Sequence, residues 1–388
     1  RTSRSSSRPS VSRASARLKR TIRSTSSEAA ARTVIDMDGS FCIVKLSGLG
    51  DVVQALAVAV ALRERDAGAR ITWIAMPTAA RLLRPHPALD RVVVFERGRG
   101  LAGAVNLWRR TRGLEHDVVL NMETYVRGVL PALLSGARRR VGFGPPRARE
   151  LTWLFHHERL PRRDERHTQD LYLEFAEHLG AGVEEPDWGL TATGEERGRR
   201  EAFFRAARAG WAGSGDGPTV GLVLASARPE KDWPAERSAE LARRLRRRHG
   251  ARVVLVGGPS GREAAAAERV LAAAAGGAVD APGGVVDGRG DDPRRLVWLL
   301  EGCDLAVAPD TGPLHVAVAV GTPVVGLFGH TNPWRAGPYR YRDLVVDRYT
   351  DPGEEPDPSR RGPRHGRMER IGVEDVLAMV DRALDRHL

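Results

Sequence analysis

Stretches with the pattern of β-strands alternate with helical stretches along most of this chain, and this alternation restricts its fold more than any other feature. From Phe41 the sequence reads "FCIVKL", a predicted strand, then the glycine-broken turn "SGLGD", then "VVQALAVAVALRERDAG", a predicted helix that ends at Gly68. Further strands are predicted in "ITWIAM", "RVVVFE", "DVVLNM" and "RRVGFG", with helices in "PTAARLLRPHP" and near 101–112. Such alternation is typical of a parallel sheet covered by helices on both faces.

The alternation pauses over residues 145–215 and then begins again. The pause contains charged and proline-containing segments and one predicted helix, "TQDLYLEFAEHLGAG". The second half, from "TVGLVLAS" to "PVVGLFG", opens as the first half does, with a strand, a turn containing glycine or serine, and a helix. We therefore predict an α/β protein with two Rossmann-like domains whose parallel sheets face a central cleft, with ligands at the carboxyl ends of the strands.

The predicted organisation has four parts, and 388 residues suffice for two domains with a core each. They are a basic tail (1–36), a first domain on the acceptor side (37–205), a second domain on the donor side (206–370) and a final amphipathic helix (371–388). The helix carries its apolar residues on one face and can pack on either domain. That face consists of Ile371, Val376, Met379, Val380 and Leu384.

The tail explains most of the net charge of +12. Residues 1–36 carry eight arginines and Lys19 against Glu28 and Asp36, and they contain few apolar residues. This composition predicts a disordered, solvated extension without the apolar core of a secretory signal, and we expect translation to start at Met37. The two cysteines exclude a disulfide framework, so reduced thiols and a cytoplasmic protein are expected. No apolar run is long enough to predict a membrane span.

The first motif, "KLSGLGDVV", follows the first predicted strand. Gly48 and Gly50 permit a tight turn and a close approach to a ligand, so Ser47, Gly48 and Gly50 are predicted to form a loop on the acceptor side. Asp51 opens the following helix, where it is either a catalytic carboxylate or a common helix cap. The motif is not a dinucleotide fingerprint, because Val53 stands at the place of the third glycine.

The second motif, "LASARPEKDWP", follows the first strand of the second half. Ser226 supplies a hydroxyl at this strand end, and Lys231 can place a point charge on a phosphate. The alternative for Lys231 is a solvated surface residue. Of the 61 basic residues only Lys19, Lys45 and Lys231 are lysines, and two of these three lie in the motifs.

The third motif interrupts the two apolar runs of "APDTGPLHVAVAVGTPVVGLFG" with polar residues. Asp310 or Thr311 can cap the helix, and Gly312 leaves backbone N–H groups accessible, which makes the helix start an anion site. His315 is expected to be neutral near the positive end of the helix, and it can still donate a hydrogen bond to a phosphate oxygen. The alternative is a capping Asp-Thr pair with a satisfied core histidine.

In this order and spacing the three motifs resemble glycosyltransferase family 9, the ADP-heptose:lipopolysaccharide heptosyltransferases of GT-B fold. The resemblance covers about residues 40–385 and is most specific in D-T-G-x-x-H-x-A followed by G-T-P-V-V-x-L-F-G. It implies an inverting, metal-independent glycosyltransferase that moves a sugar, heptose from ADP-heptose, to a cell-envelope glycan such as lipopolysaccharide core. The nucleotide-diphospho-sugar is then a co-substrate, and neither a cofactor nor a metal is expected.

The resemblance also implies roles for single residues. Asp51 matches the general base, although its place at a helix start stabilises the carboxylate and leaves electrostatic stabilisation of the sugar as a second role. Glu263, in "GGPSGREAAA", matches a residue that holds the donor ribose. Ala227 differs from the family pattern, because many relatives carry a second hydroxyl residue at its position. The full set of implied donor-binding residues is Ser226, Lys231, Glu263, Asp310, Thr311, Gly312 and His315.

Acceptor contacts are expected from first-domain loops, "METYVRG" and residues 143–170, where Arg127 and the segment 138–149 can receive an anionic glycan or lipid headgroup. We expect a monomer with a nucleotide-sugar donor, a glycan or glycolipid acceptor, peripheral contact with the anionic inner membrane surface and no specific nucleic acid. A Rossmann dehydrogenase is disfavoured because no full dinucleotide fingerprint follows any strand. A non-catalytic nucleotide-sugar or glycan-binding relative would not need Asp51, and a nucleic-acid binder would act through the tail with steep salt dependence.

Overall fold

The computed structural model of the protein describes residues 39–46, 48–164, 166–211, 217–275 and 284–388. The predictions for the tail, for Met37 as the start and for Ser47 lie outside these residues. The described residues form two sheets, each of six parallel strands, which confirms the predicted α/β architecture.

The first sheet has the strand order β3-β2-β1-β4-β5-β6. Its strands are β1 (Ser40–Val44), β2 (Arg70–Ala75), β3 (Arg91–Val94), β4 (Val118–Asn121), β5 (Arg139–Phe143) and β6 (Glu158–Leu160). The helices of this half are α1 (Leu49–Arg65), α2 (Pro77–Leu83), α3 (Gly100–Thr111), α4 (Val129–Leu134), α5 (Thr168–His178) and α6 (Gly194–Gly210).

The second sheet has the order β12-β11-β10-β7-β8-β9, which is the topology of the first sheet when strands are counted from β7. Its strands are β7 (Thr219–Val223), β8 (Arg252–Val256), β9 (Val285–Asp287), β10 (Leu305–Pro309), β11 (Val324–Phe328) and β12 (Val345–Asp347). The helices are α7 (Ala235–His249), α8 (Gly261–Ala275), α9 (Pro293–Glu301), α10 (Gly312–Val320), α11 (Pro333–Ala336) and α12 (Val373–His387).

The strand order places the three sequence motifs at the topological switch points of the two sheets, where neighbouring strands connect to opposite sides of the sheet. Strand β1 pairs with both β2 and β4, and β7 pairs with both β8 and β10. The first motif follows β1, the second follows β7 and the third follows β10. Since the chain leaves these strands in opposite directions, a crevice opens at their carboxyl ends, where ligands bind in sheets of this kind.

The two domains share one apolar core. Along β1, Phe41 and Ile43 belong to a cluster that continues into Leu314 and Val316 of α10, whereas the alternate residues Cys42 and Val44 pack on the opposite face of the first sheet. A continuous apolar interface of this kind holds two domains together more firmly than a polar one. None of the described helices has the length and apolar character needed to cross a membrane.

Two expectations about local structure need correction. The region 145–215 contains β6 and α6 in addition to the one helix predicted there. Helix α1 ends at Arg65 rather than at Gly68. Helix α6 was missed because it is dominated by charged residues. It packs through a short aromatic face, where the ring of Phe203 lies 5.9 Å from that of Trp298 on α9. The predicted domain boundary at 205/206 falls within this helix.

The final helix, which the sequence allowed on either domain, packs on the second one. Val376 and Val380 are fully buried in the apolar cluster that also contains Leu241 and Leu245 of α7. The indole N–H of Trp233 donates to the carbonyl of Ile371 at 3.1 Å, which fixes the start of the segment.

A buried histidine joins the two domains and predicts a loss of stability in acid. His167 Nδ1 accepts from the backbone N–H of Gln169 at 3.1 Å, and Nε2 therefore donates to the carbonyl of Gly337 at 2.9 Å. Burial, together with the charge of Arg342, lowers the pKa of His167 to about 3 from its ordinary value of 6.5. Between these pH values the unfolded chain binds a proton that the folded protein does not, so the free energy of unfolding falls by about 1.4 kcal/mol per pH unit.

The measurement is urea unfolding of the wild type and of His167→Asn at pH 6.5 and at about pH 4.5. The amide oxygen of Asn can still cap α5 but does not titrate. We expect the wild type to lose about 2 to 3 kcal/mol more than the variant over this range. Equal losses in the two proteins would contradict the assignment of a neutral His167.

Candidate active site

A cavity of ≈ 670 Å³ lies between the two domains at the carboxyl ends of the strands. Its lining is strongly basic, with two lysines and seven arginines against only two acidic residues, Asp51 and Asp310. The basic residues are Lys45, Arg127, Arg147, Arg149, Arg228, Lys231, Arg335, Arg360 and Arg361. A cavity with this charge balance favours an anionic ligand or a pair of them.

The glycines of the first motif are required by close contacts. Gly48 has φ 80°, and a Cβ at this position would lie 2.7 Å from Asp51 Oδ2. A Cβ at Gly50 would lie 2.5 Å from His315 Cδ2, which belongs to the second domain. The two glycines therefore allow the start of α1 to approach α10 while the Asp51 carboxylate points into the cavity.

A buried lysine stands behind Asp51. The Lys45 ammonium lies 3.5 Å from Asp51 Oδ2 and 3.5 Å from Glu123 Oε1, and it lies 5.4 Å from the centre of the Tyr172 ring. Burial alone would lower the pKa of Lys45, but Asp51, Tyr172 and Glu123 raise it above its ordinary value. Lys45 is therefore charged, and it holds the Asp51 carboxylate in an ion pair.

The N-termini of α1 and α10 meet across the domain boundary. A Cβ on Gly312 would lie 3.1 Å from Leu49 Cβ, so the small residue at the start of α10 permits the contact. Gln54, one turn after Asp51 on α1, places its Nε2 3.4 Å from His315 Nε2. Two positive helix ends thus face the same region, which adds to the attraction for anions.

The expectation that Asp310 or Thr311 caps α10 is wrong. Thr311 occupies the N-cap position, but its side chain makes no capping hydrogen bond with the helix. The Asp310 carboxylate is instead held by Lys231 Nζ at 2.5 Å and by the hydroxyl of Thr331 at 2.7 Å. Burial would raise the pKa of Asp310, but the charge of Lys231 and the hydrogen bonds from Lys231 and Thr331 keep it below its ordinary value.

His315 lies one turn into α10 and is 7 % exposed. Burial lowers its pKa, against the opposing charges of Asp310 and Asp51. The lowered pKa agrees with the expected neutral state, and burial is its main cause. Nε2 lies 3.9 Å from Asp310 Oδ1, so Asp310 connects Lys231 and His315 in one cluster.

Four of the sequence-predicted donor residues do not line the cavity, namely Ser226, Glu263, Thr311 and Gly312. The first two make local contacts. The hydroxyl of Ser226 donates to the carbonyl of Arg228 at 2.6 Å, within the turn after β7. Glu263 accepts from the backbone N–H of Gly258 and from the hydroxyl of Ser260, each at 2.7 Å, and so closes the loop before α8.

The predicted acceptor loops do reach the cavity. Thr124, Tyr125 and Arg127 of the "METYVRG" stretch line it, and so do Arg147 and Arg149. Their guanidinium groups are held differently. Arg127 Nε donates to Glu123 at 2.5 Å and Arg147 to Glu174 at 2.7 Å, whereas the side chain of Arg149 is exposed.

Comparison with known proteins decides the family. The model of glycosyltransferase family 9 (heptosyltransferase) matches residues 104–358, about two thirds of the chain. The chain belongs to glycosyltransferase family 9. This membership confirms the resemblance of the three motifs and makes the protein a glycosyltransferase.

Two characterised members of the family are similar to the chain over most of its length. Lipopolysaccharide core heptosyltransferase OpsX of Haemophilus influenzae is 31% identical over 312 residues, which is 80% of this chain and 85% of the relative. Lipopolysaccharide heptosyltransferase 1 of Pseudomonas aeruginosa is 27% identical over 319 residues, 76% of this chain and 80% of the relative.

Solved structures of the family share the fold. A family 9 glycosyltransferase from Veillonella parvula has a TM-score of 0.73 at 23% identity, covering 90% of this chain and 99% of its own. E. coli heptosyltransferase WaaC with ADP has a TM-score of 0.66 at 20% identity, again covering 90% of this chain and 99% of its own. The two-domain GT-B architecture predicted from the motifs is thereby confirmed.

Several residues that line the cavity were not predicted from the sequence. Gln54 could have been found, because it lies on the same face of α1 as Asp51, and so could His330 and Thr331, which follow β11 directly. Arg360 and its neighbours could not, since the segment 351–367 has neither apolar periodicity nor a recognisable motif. Within the described ranges, no three His, Cys, Asp or Glu residues are grouped so as to hold a metal.

Proposed function

We propose that this family 9 enzyme is an inverting, metal-independent heptosyltransferase that moves heptose from ADP-heptose to the core of lipopolysaccharide. The names of its relatives, both lipopolysaccharide heptosyltransferases, supply the sugar and the acceptor. The observation that carries the proposal is the opposition across one cavity of Asp51, from the first domain, and the Lys231–His315 cluster, from the second.

The donor diphosphate is proposed to lie at the start of α10. The side chain of Thr311 makes no capping hydrogen bond, so the N–H of Gly312 is the group at the helix start proposed to meet the diphosphate, since Pro313 has no N–H and that of Leu314 donates to the Thr311 carbonyl at 3.2 Å. Lys231 and His315 line the same cavity. A helix N-terminus with an adjacent ammonium group and a hydrogen-bond donor takes the negative charge that develops as the diphosphate leaves. These groups would supply the charge stabilisation that other enzymes obtain from a metal ion.

The acceptor hydroxyl is proposed to meet Asp51. Its proton passes to the Asp51 carboxylate while its oxygen bonds to the anomeric carbon, and the bond from that carbon to the diphosphate oxygen breaks. Attack from the face opposite the leaving group inverts the configuration. Lys45, 3.5 Å away, holds the Asp51 carboxylate in place before the reaction. The same carboxylate also stabilises positive charge on the sugar ring.

The remaining lining fits an anionic acceptor. Arg127, Arg147 and Arg149 stand on the first-domain side, and Arg335 and Arg360 on the other. Guanidinium groups bind phosphate and carboxylate through paired hydrogen bonds, which suits a phosphorylated or acidic glycan core. We further propose that the enzyme works as a monomer on the cytoplasmic side of the inner membrane.

Some assignments rest on the family pattern alone. Ser226 as a diphosphate contact and Glu263 as a ribose contact require rearrangement of their present local hydrogen bonds when the donor binds. Gly48 and Gly50 serve on the acceptor side through the turn that presents Asp51, and the same role is proposed for Ser47.

The nucleotide preference tests the donor side directly. Calorimetric titration of the protein in EDTA with ADP, GDP, UDP and NAD is expected to show binding of ADP, weakened roughly tenfold or more in His315→Ala because a hydrogen bond to phosphate is lost. His249→Ala, a histidine of α7 paired with Asp381, is the matched control and should bind as the wild type does. Preferred binding of NAD, or no binding of any nucleoside diphosphate, would contradict the donor site.

A further inference from the structure

The exposed apolar side chains of the protein are concentrated in one part of the first domain. Twelve large apolar side chains are exposed among the described residues, and ten of them lie between Leu101 and Phe155. The other two are Trp334 and Leu388. Single exposed apolar residues are normal, but a concentration of them marks a surface that meets another molecule or a membrane.

Helix α3 has two apolar faces. The first, with Leu107 and Thr111, is buried against the domain. The second presents Leu101, Val105 and Trp108 at the spacing i, i+4, i+7, and these side chains are 86%, 45% and 46% exposed. Because the first face is the one that holds the helix on the domain, the second is available for contact with another surface.

The exposed apolar residues continue from α3 to α4. Leu101 at the start of α3 and Leu130 near the start of α4 lie on the side of the sheet where the strands end, whereas a groove of ≈ 520 Å³ lined by Trp108 and Leu133 lies at the amino ends of the strands. The 3-10 turn Val126–Gly128 precedes α4, and Tyr125 just before it is an exposed residue of the active-site cavity. The apolar surface therefore begins at the mouth of the cavity.

The border of this surface is basic. Helix α3 contains no acidic residue, and Arg109, Arg110 and Arg112 cluster at its end. Arg109 lies next to the second face and makes no ion pair with any residue in the described ranges, while Glu96 before the helix is paired with Arg99 at 3.3 Å. Arg112 extends the face and lies over the Trp108 ring at 5.1 Å. An apolar helix face bordered by arginines is the pattern of helices that lie in the surface of an anionic bilayer.

We propose that α3 and α4 form a membrane-docking surface that lies on an anionic lipid bilayer and turns the mouth of the cavity near Tyr125 towards the lipid headgroups. The purpose of such docking, access to a lipid-anchored acceptor, rests on the proposed function. The docking itself does not, because it follows from the exposed apolar face and its arginine border.

The test is co-sedimentation of the full chain with vesicles in the absence of donor and acceptor. One set contains phosphatidylcholine alone and the other phosphatidylcholine mixed with phosphatidylglycerol. We expect the wild type to bind the anionic vesicles, and to bind them more weakly at high salt. The double variant Leu101→Ser/Val105→Ser should bind these vesicles at least roughly tenfold more weakly than the wild type. Leu388→Ser, at an exposed leucine of the second domain, is the matched control and should bind as the wild type does.

Equal binding by the wild type and the double variant, or no binding of the wild type to anionic vesicles, would overturn the proposal. So would a dimer in vesicle-free sedimentation that the double substitution dissociates, because a second copy would then be the occupant. Transfer to a water-soluble core fragment should be unchanged in the double variant, so failed docking and failed transferase function are separate results.

Discussion

Asp51→Asn is expected to lower the rate of heptose transfer about a thousandfold while leaving the fold and donor binding intact. The amide cannot take the proton of the acceptor hydroxyl, and loss of a general base typically costs between about a hundredfold and ten-thousandfold. Asn has the same shape and still suits a helix start. The Lys45 ammonium keeps Glu123 as a partner at 3.5 Å, so no buried charge is left unpaired.

The measurement is a steady-state transfer assay combined with ADP titration and urea unfolding. Glu64→Gln is the matched control, because it is the same carboxylate-to-amide change on an exposed position of α1 away from the cavity. It should transfer at the wild-type rate. Near-normal turnover by Asp51→Asn would remove Asp51 from the chemistry and leave it as a helix-start residue.

Lys231→Met is expected to reduce both stability and donor affinity. It leaves Asp310, whose side chain is 11% exposed, without its ion-pair partner, which costs about 3 kcal/mol of the free energy of unfolding. It also removes an ammonium group from the diphosphate position, so the Kd for ADP should rise between about tenfold and a hundredfold. The double variant Lys231→Met/Asp310→Asn should regain most of the stability, because no charge remains buried, but not the affinity for ADP.

Urea unfolding and calorimetric titration of the single and double variants separate the two roles of Lys231. Arg163→Met breaks an exposed ion pair with Glu177 and serves as the comparison, with an expected loss below about 1 kcal/mol. If the double variant bound ADP as tightly as the wild type, Lys231 would be a structural partner of Asp310 only. The proposed donor contact would then be wrong.

The motifs could be located from the sequence because strand ends are easy to recognise. "KLSGLGDVV" had to follow β1, and "APDTGPLH" had to follow β10, since each comes directly after a buried apolar run. In parallel sheets such positions lie at one edge, so Asp51 of the first sheet and Asp310 and His315 of the second were each expected at the central cleft. All three line the same cavity.

The partners of these side chains could not be predicted in the same way. Sequence spacing places Lys231 and Asp310 at neighbouring strand ends, but only the packed structure joins them in an ion pair instead of leaving Asp310 to cap α10. Ser226 turns its hydroxyl to the backbone of Arg228, because a serine after a strand can satisfy its hydrogen bonds locally. Helix α6 was not predicted because most of its residues are charged and only a few aromatic residues pack it on the protein.

The stereochemistry of transfer tests the central claim most directly. The purified protein is supplied with ADP-heptose and a lipopolysaccharide core acceptor in EDTA, and the anomeric configuration of the transferred sugar is read by proton NMR. Attack from the Asp51 side, opposite a diphosphate held by Lys231 and the start of α10, predicts transfer without metal and with inverted configuration. Retained configuration, or transfer that appears only when a divalent metal is restored, would contradict this account.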